Sequence, residues 1–140
     1  MSEVQSSGNP AQTILLVEDN FDNLSIYTTV LTHFGYKVLS AEDGIQGLAL
    51  ARSACPDLIL MDISIPGIDG WQATRTIKAD PHTASIPIIV LTAHALSTDR
   101  ERAFREGADG YIAKPAEPMQ VLNTVRRMLS GEDRRAPLVT

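Results

Sequence analysis

Five short apolar runs decide what this chain can fold into. They occupy residues 13–17 (TILLV), 37–40 (KVLS), 57–61 (DLILM), 87–91 (PIIVL) and 111–113 (YIA). Four of the five are continuous rather than alternating, the pattern of strands buried on both faces. Between them the apolar residues recur at helical spacing. Ile26, Tyr27, Val30, Leu31 and Phe34 share one predicted face before Gly35, and Met119, Leu122, Val125 and Leu129 share another before Gly131. Each strand is therefore followed by a helix. Parallel neighbours need long crossovers, and right-handed crossovers place helices over the sheet, so the predicted fold is α/β: one five-stranded parallel sheet covered on both faces.

Composition limits what such a fold is used for. The 140 residues suffice for about one ordinary domain with its own core. Acidic residues outnumber basic ones by 17 to 12, a net charge of −5, and no Lys/Arg-rich run appears, so direct nucleic-acid binding has no electrostatic footprint. The single cysteine, Cys55, excludes an internal disulfide. No apolar stretch approaches the roughly 20 residues of a membrane span, and the N-terminus is polar, so neither a membrane segment nor a signal peptide is expected. The chain reads as cytoplasmic. Residues 1–12 and 131–140 are polar and without periodicity, and read as flexible tails around a domain at 13–130.

In open parallel sheets ligands collect beyond the carboxyl ends of the strands. The residues there form a set: the first run leads into Glu18 and Asp19, the third into Asp62, the fourth into Thr92 and the fifth into Lys114 and Pro115. Each has an ordinary reading. Glu18 and Asp19 would cap a helix starting near Asp22, Pro115 would end a strand, and Thr92 would be a strand-end hydroxyl. Convergence on one rim favours a site instead. Three carboxylates in a partly desolvated crevice repel one another unless a cation compensates. With only oxygen ligands in view, that cation is Mg²⁺ or Mn²⁺ rather than zinc, and Mg²⁺ held by a few carboxylates suggests phosphoryl chemistry.

The stretches VEDN at 17–20, LILMDISIPGIDG at 58–70, PIIVLTA at 87–93 and GADGYIAKP at 107–115 together resemble the receiver domain of two-component response regulators. The likeness covers residues 13–130. Spacing agrees as well: 43 positions separate Asp19 from Asp62, a further 30 lead to Thr92 and a further 22 to Lys114. The resemblance implies a flavodoxin-like (βα)5 fold with strand order 2-1-3-4-5. It implies that Asp62 is the phosphoacceptor for a histidine kinase or a histidine phosphotransfer protein. Asp19, Asp62 and the backbone carbonyl of Ser64 would hold Mg²⁺, with Glu18 acting through a water and Mn²⁺ as a substitute ion. Lys114 and Thr92 would contact phosphoryl oxygens, and a cis peptide is expected between Lys114 and Pro115.

The same resemblance makes Thr92 and Tyr111 a switch pair and gives Ser64 and His94 influence over the lifetime of the phosphoryl group. Output would pass to a protein target through the fourth helix, fifth strand and fifth helix. The fourth helix, with Leu96, Ala103 and Phe104 as its few apolar anchors in 96–107, is expected to be the least firmly packed. With about ten polar residues after the last helix, the chain reads as a single-domain response regulator, a signalling protein rather than an enzyme. Trp71, sharing a face with Thr74 and Ile77, is expected to pack in the core. Cys55 reads as inert packing, and His33 and His82 as surface or turn residues. Two other classes remain open. A haloacid-dehalogenase-like phosphatase wants a second acid two positions after its nucleophile, where Ser64 stands. A nucleotide or flavin binder wants a glycine-rich phosphate loop, which does not follow the first strand.

Overall fold

The computed structural model describes residues 11–93 and 97–131. The expected tails fall outside the described residues apart from Ala11, Gln12 and Gly131. Ten elements alternate strictly: β1 (Thr13–Val17), α1 (Phe21–His33), β2 (Lys37–Ala41), α2 (Gly44–Ala54), β3 (Leu58–Asp62), α3 (Gly70–Ala79), β4 (Ile88–Thr92), α4 (Ser97–Arg105), β5 (Gly110–Ala113) and α5 (Pro118–Ser130). The strands form one sheet in the order β2-β1-β3-β4-β5, and every pairing is parallel.

Alternation along the strands divides the core in two. Ile14, Leu16, Leu58, Leu60, Ile89 and Leu91 face α1 and α5. Leu15, Val17, Ile59, Met61, Ile88 and Val90 face the side that carries Ala51, Trp71, Ile77 and Ala103, from α2, α3 and α4. Helices thus cover both faces, and the central strands are apolar apart from Thr13, Asp62 and Thr92 at their ends, because neither face meets water. Trp71 packs with Thr74 and Ile77 as expected, all three buried.

Two strands sit one residue later than the apolar runs suggest. Pro87 has no N–H to enter the ladder, so β4 begins at Ile88 while the Pro87 carbonyl still accepts from Ile59 at 2.9 Å. Asp57 spends its side chain on the Thr13 N–H at 2.7 Å, and β3 begins after it. Both strands then continue one residue further, through Asp62 and Thr92.

Three helices, α1, α2 and α3, begin with side-chain caps. Asn20, Asp43 and Asp69 accept the N–H groups of Asn23, Gln46 and Gln72 at 2.9, 2.7 and 2.8 Å, each such cap contributing about 1 kcal/mol. The α1 cap is therefore Asn20, not Glu18 or Asp19, and the helix starts at Phe21.

Three packing expectations need correction. On α1 the buried stripe is Tyr27 and Leu31 with Leu24 packed against them, whereas Ile26 and Phe34 are exposed. Both stripes are apolar in sequence, and the sheet accepts one. On α5 Met119 is exposed, while Val121, Leu122, Thr124, Val125 and Met128 are buried. Cys55 is not packed inside: it is the exposed, left-handed residue that ends α2, with φ 46°, and its Sγ lies 3.5 Å from Nε2 of the exposed His82.

At the end of the sheet where β4 and β5 begin, Lys78 of α3 acts as a clamp. Its Nζ donates to the carbonyls of Ala84 and Ile86 at 3.2 and 2.7 Å and pairs with Asp109 at 2.8 Å. Asp109 in turn accepts the Ile88 N–H at 2.9 Å.

Candidate functional site

At the opposite end of the sheet the strands deliver their polar residues. Glu18 extends the ladder one step past β1, its N–H donating to the Ala41 carbonyl at 2.9 Å, and its side chain is 0% exposed. Glu18 Oε2 accepts the Asn20 N–H at 3.1 Å. Glu18 Oε1 is buried with no hydrogen-bond partner among the described residues. A buried carboxylate oxygen left so is costly unless a proton or cation meets it. Burial, followed by contact with and repulsion from Asp62, pushes the Glu18 carboxyl up to about 7.

Asp62 ends β3 and is 2% exposed. Its Oδ1 accepts the Ser64 N–H at 3.0 Å, and its Oδ2 accepts from Lys114 Nζ at 3.1 Å. The chain then turns through positive-φ Gly67 and returns so closely that a Cβ on Gly70 would lie 2.6 Å from the Asp62 carbonyl oxygen. Only glycine permits α3 to start against the backbone of the acidic strand. Asp19 is exposed at the mouth. One oxygen from each of Glu18, Asp19 and Asp62 lies within 4.8 Å of the other two. This all-oxygen donor set, with an orphaned buried oxygen among it, fits a hard divalent cation.

Lys114 reaches the same point from the end of β5. Burial works against its charge, but the hydrogen bond and charge of Asp62, helped by Glu18, prevail and hold its pKa above the ordinary lysine range. The peptide between Lys114 and Pro115 is cis, as expected.

The structure therefore brings together Glu18, Asp19, Asp62 and Lys114. Thr92 and Tyr111 lie on the neighbouring face. Val90 pairs with Tyr111, and Thr92, two residues on, points to the same side of the sheet, toward α4. Thr92 is buried and its carbonyl accepts the Lys114 N–H at 2.7 Å. Tyr111 is already inside, 7% exposed. Ser64 is exposed beside the acids, and His94 and Leu96 lie outside the described residues.

Sequence reasoning passed over two residues of α1. Asn23 and Tyr27, one turn apart, line a slot of about 470 Å³ together with Ala93, Lys114, Pro115 and Ala116. Their i, i+4 spacing was the available signal, but the apolar pattern assigned Tyr27 to packing alone.

The response regulator receiver domain family matches residues 14–126. The chain is 41% identical over 118 residues to Protein PilH of Pseudomonas aeruginosa, an alignment spanning 84% of this chain and 98% of PilH. It is 35% identical over 118 residues to the polar-differentiation response regulator DivK of Brucella anthropi, spanning 84% of this chain and 96% of that protein. Among solved structures, the receiver domain of sensor histidine kinase PA1611 from Pseudomonas aeruginosa, with a magnesium ion coordinated in its active site cleft, aligns with TM-score 0.79 and 40% identity over 86% of this chain and 98% of its own.

Proposed function

The chain belongs to the response regulator receiver domain family, a phosphoacceptor signalling domain, and on that premise we propose that Asp62 is the acceptor. A histidine kinase or histidine phosphotransfer protein presents a phosphohistidine, a carboxylate oxygen of Asp62 forms the new P–O bond, and the P–N bond to the donor imidazole breaks. The observation that carries this reading is Asp62 itself: a nearly buried carboxylate at a strand end, 3.1 Å from the Lys114 ammonium and within 4.8 Å of two further acids.

Glu18, Asp19, Asp62 and the carbonyl of Ser64 would hold Mg²⁺, with Mn²⁺ as a substitute. The bound cation would supply positive charge to the phosphoryl oxygens, where a loose transition state most needs it. Lys114 contributes a second fixed charge, preorganised by its bond to Asp62. The Thr92 hydroxyl then bonds a phosphoryl oxygen. Because Tyr111 is already inside, phosphorylation fixes its ring in place rather than drawing it inward, and the surface of α4, β5 and α5 passes the change to a protein target. Ser64 and His94 tune the approach of the hydrolytic water. The domain spans 13–130, acts in the cytoplasm, and turns over no substrate besides its own aspartyl phosphate. No helix among the described residues is long and apolar enough to cross a membrane.

Acetyl phosphate with MgCl₂ provides the test. Intact-mass measurement should show one added phosphoryl group on the wild type and none on Asp62→Asn; undiminished phosphorylation of that variant sinks the assignment. In a metal titration Asp19→Ala should weaken Mg²⁺ binding far more than Asp57→Ala, an exposed acid just before β3 at the opposite end of the sheet.

A further inference from the structure

Tyr27 lies on the first turns of α1, directly downstream of the acidic pair, and is buried. Its phenol does more than fill the core. The hydroxyl donates to the Ala116 carbonyl at 3.2 Å, a bond between residues 89 positions apart. Ala116 is two residues beyond Lys114, on the loop whose placement decides where that ammonium points. The Tyr27 ring and Lys114 also line one slot. We propose that Tyr27 is a positioning residue of the phosphotransfer site: its hydroxyl holds the 114–116 loop against α1 so that Lys114 Nζ meets Asp62.

The reach of the argument comes from what else ties that loop down. Upstream, the Lys114 N–H is fixed by the Thr92 carbonyl. Downstream, Pro115 has no N–H to donate, so among the described residues the Ala116 carbonyl is the next point at which the backbone is tied to a neighbouring element. Burial, with the negative charge of Glu18 second, raises the phenol pKa, so the hydroxyl remains a donor throughout the neutral range. Removing the hydroxyl leaves the ring in the buried cluster that also holds Leu31 and Val121 but frees the loop by one hydrogen bond.

This inference rests on the phosphoacceptor reading above, and a double-mutant cycle separates the two. The readout is the rate of acetyl phosphate-driven phosphorylation of the full chain at saturating MgCl₂, followed by intact mass. Tyr27→Phe should slow it about fivefold, the rate equivalent of about 1 kcal/mol, with the Mg²⁺ midpoint unchanged. Lys114→Gln should slow it much more. Added to Lys114→Gln, Tyr27→Phe should cost nothing further, because the group that it positions is gone. A structural role alone would give the same fivefold loss in both backgrounds. Such additivity, or a Tyr27→Phe rate equal to wild type while Lys114→Gln is slow, overturns the positioning role and leaves the acceptor reading intact. No loss in Lys114→Gln overturns both.

Discussion

The helices α4 and α5 flank the same strand, β5, and are held to the molecule by opposite means. In α5 five residues, Val121, Leu122, Thr124, Val125 and Met128, are buried, and the helix is closed by Pro118 in its first turn and left-handed Gly131 at its end. In α4 the buried anchor among the described side chains is Ala103, and Phe104 stands 39% exposed. What ties α4 to α3 is charge. Arg102 stacks 4.8 Å over the Trp71 ring, and Glu106 just beyond the helix pairs with Arg75 at 2.9 Å and Arg102 at 3.5 Å. Apolar area removed from water is worth roughly 25 cal/mol per Å² and cannot be exchanged for anything equivalent in solvent. Ion pairs at the surface are worth about 1 kcal/mol or less, because water replaces them readily. One helix is therefore an anchor, and the other is held by contacts that a modest force can rearrange.

The largest effect separates the two directly. Leu122→Ala should lower the free energy of unfolding by roughly 2 to 5 kcal/mol, read from the urea midpoint, whereas Phe104→Ala should lower it by under about 1 kcal/mol. Equal losses would erase the distinction. A smaller effect concerns how α4 is released. Glu106→Gln should cost about 1 kcal/mol or less, a cost that fades in high salt, yet it should enlarge the amide shift changes across 97–130 on phosphorylation. A variant whose shifts match the wild type would mean that the Arg75, Glu106 and Arg102 contacts do not restrain α4. Trp71 is the sole tryptophan, so its emission offers an independent record: Arg102→Ala should shrink any change that phosphorylation produces in it.

The smallest effect is a pH dependence. The hydrogen bond from Arg75 holds the Glu106 carboxyl below the ordinary glutamate value of 4.5. A depressed acid stabilises the fold fully above its unfolded pKa and loses that contribution as pH falls through the folded one. The stability gap between wild type and Glu106→Gln should therefore hold at neutral pH and close as pH drops below 4.5. A gap that widens on acidification would show that the pair does not bind as charges.

How much of this was legible beforehand follows from the range of each interaction. The strands β1, β3 and β4 announced themselves to within one residue because burial on both faces leaves an unbroken apolar run, and the acids were conspicuous for ending such runs. The α1 face was misjudged because Ile26, Val30 and Phe34 make as good a stripe as Leu24, Tyr27 and Leu31. The choice between them is made by α5 and the Ala116 carbonyl, far along the chain. The bond from Arg75 to Glu106 spans 31 positions and leaves no periodic trace. Phe104 looked like an anchor because an aromatic residue usually is one. That Glu18 is wholly buried while Asp19 beside it is open depends on the ladder continuing one residue past β1, which adjacent identical charges do not reveal.

The clamp at Lys78 has a mechanical consequence. A lever transmits movement only if one end is grounded, and Lys78 grounds the sheet at the end away from the acids. It bonds the turn before β4 and, through Asp109, the start of β5. With those starts pinned, β4 and β5 are held against sliding lengthwise to absorb the displacement that the proposed function places at Thr92. Under the proposed function, that stroke would leave sideways, toward α4. Lys78→Met, which keeps the stem but loses the ammonium, would let the strands slip and convert a directed stroke into slack.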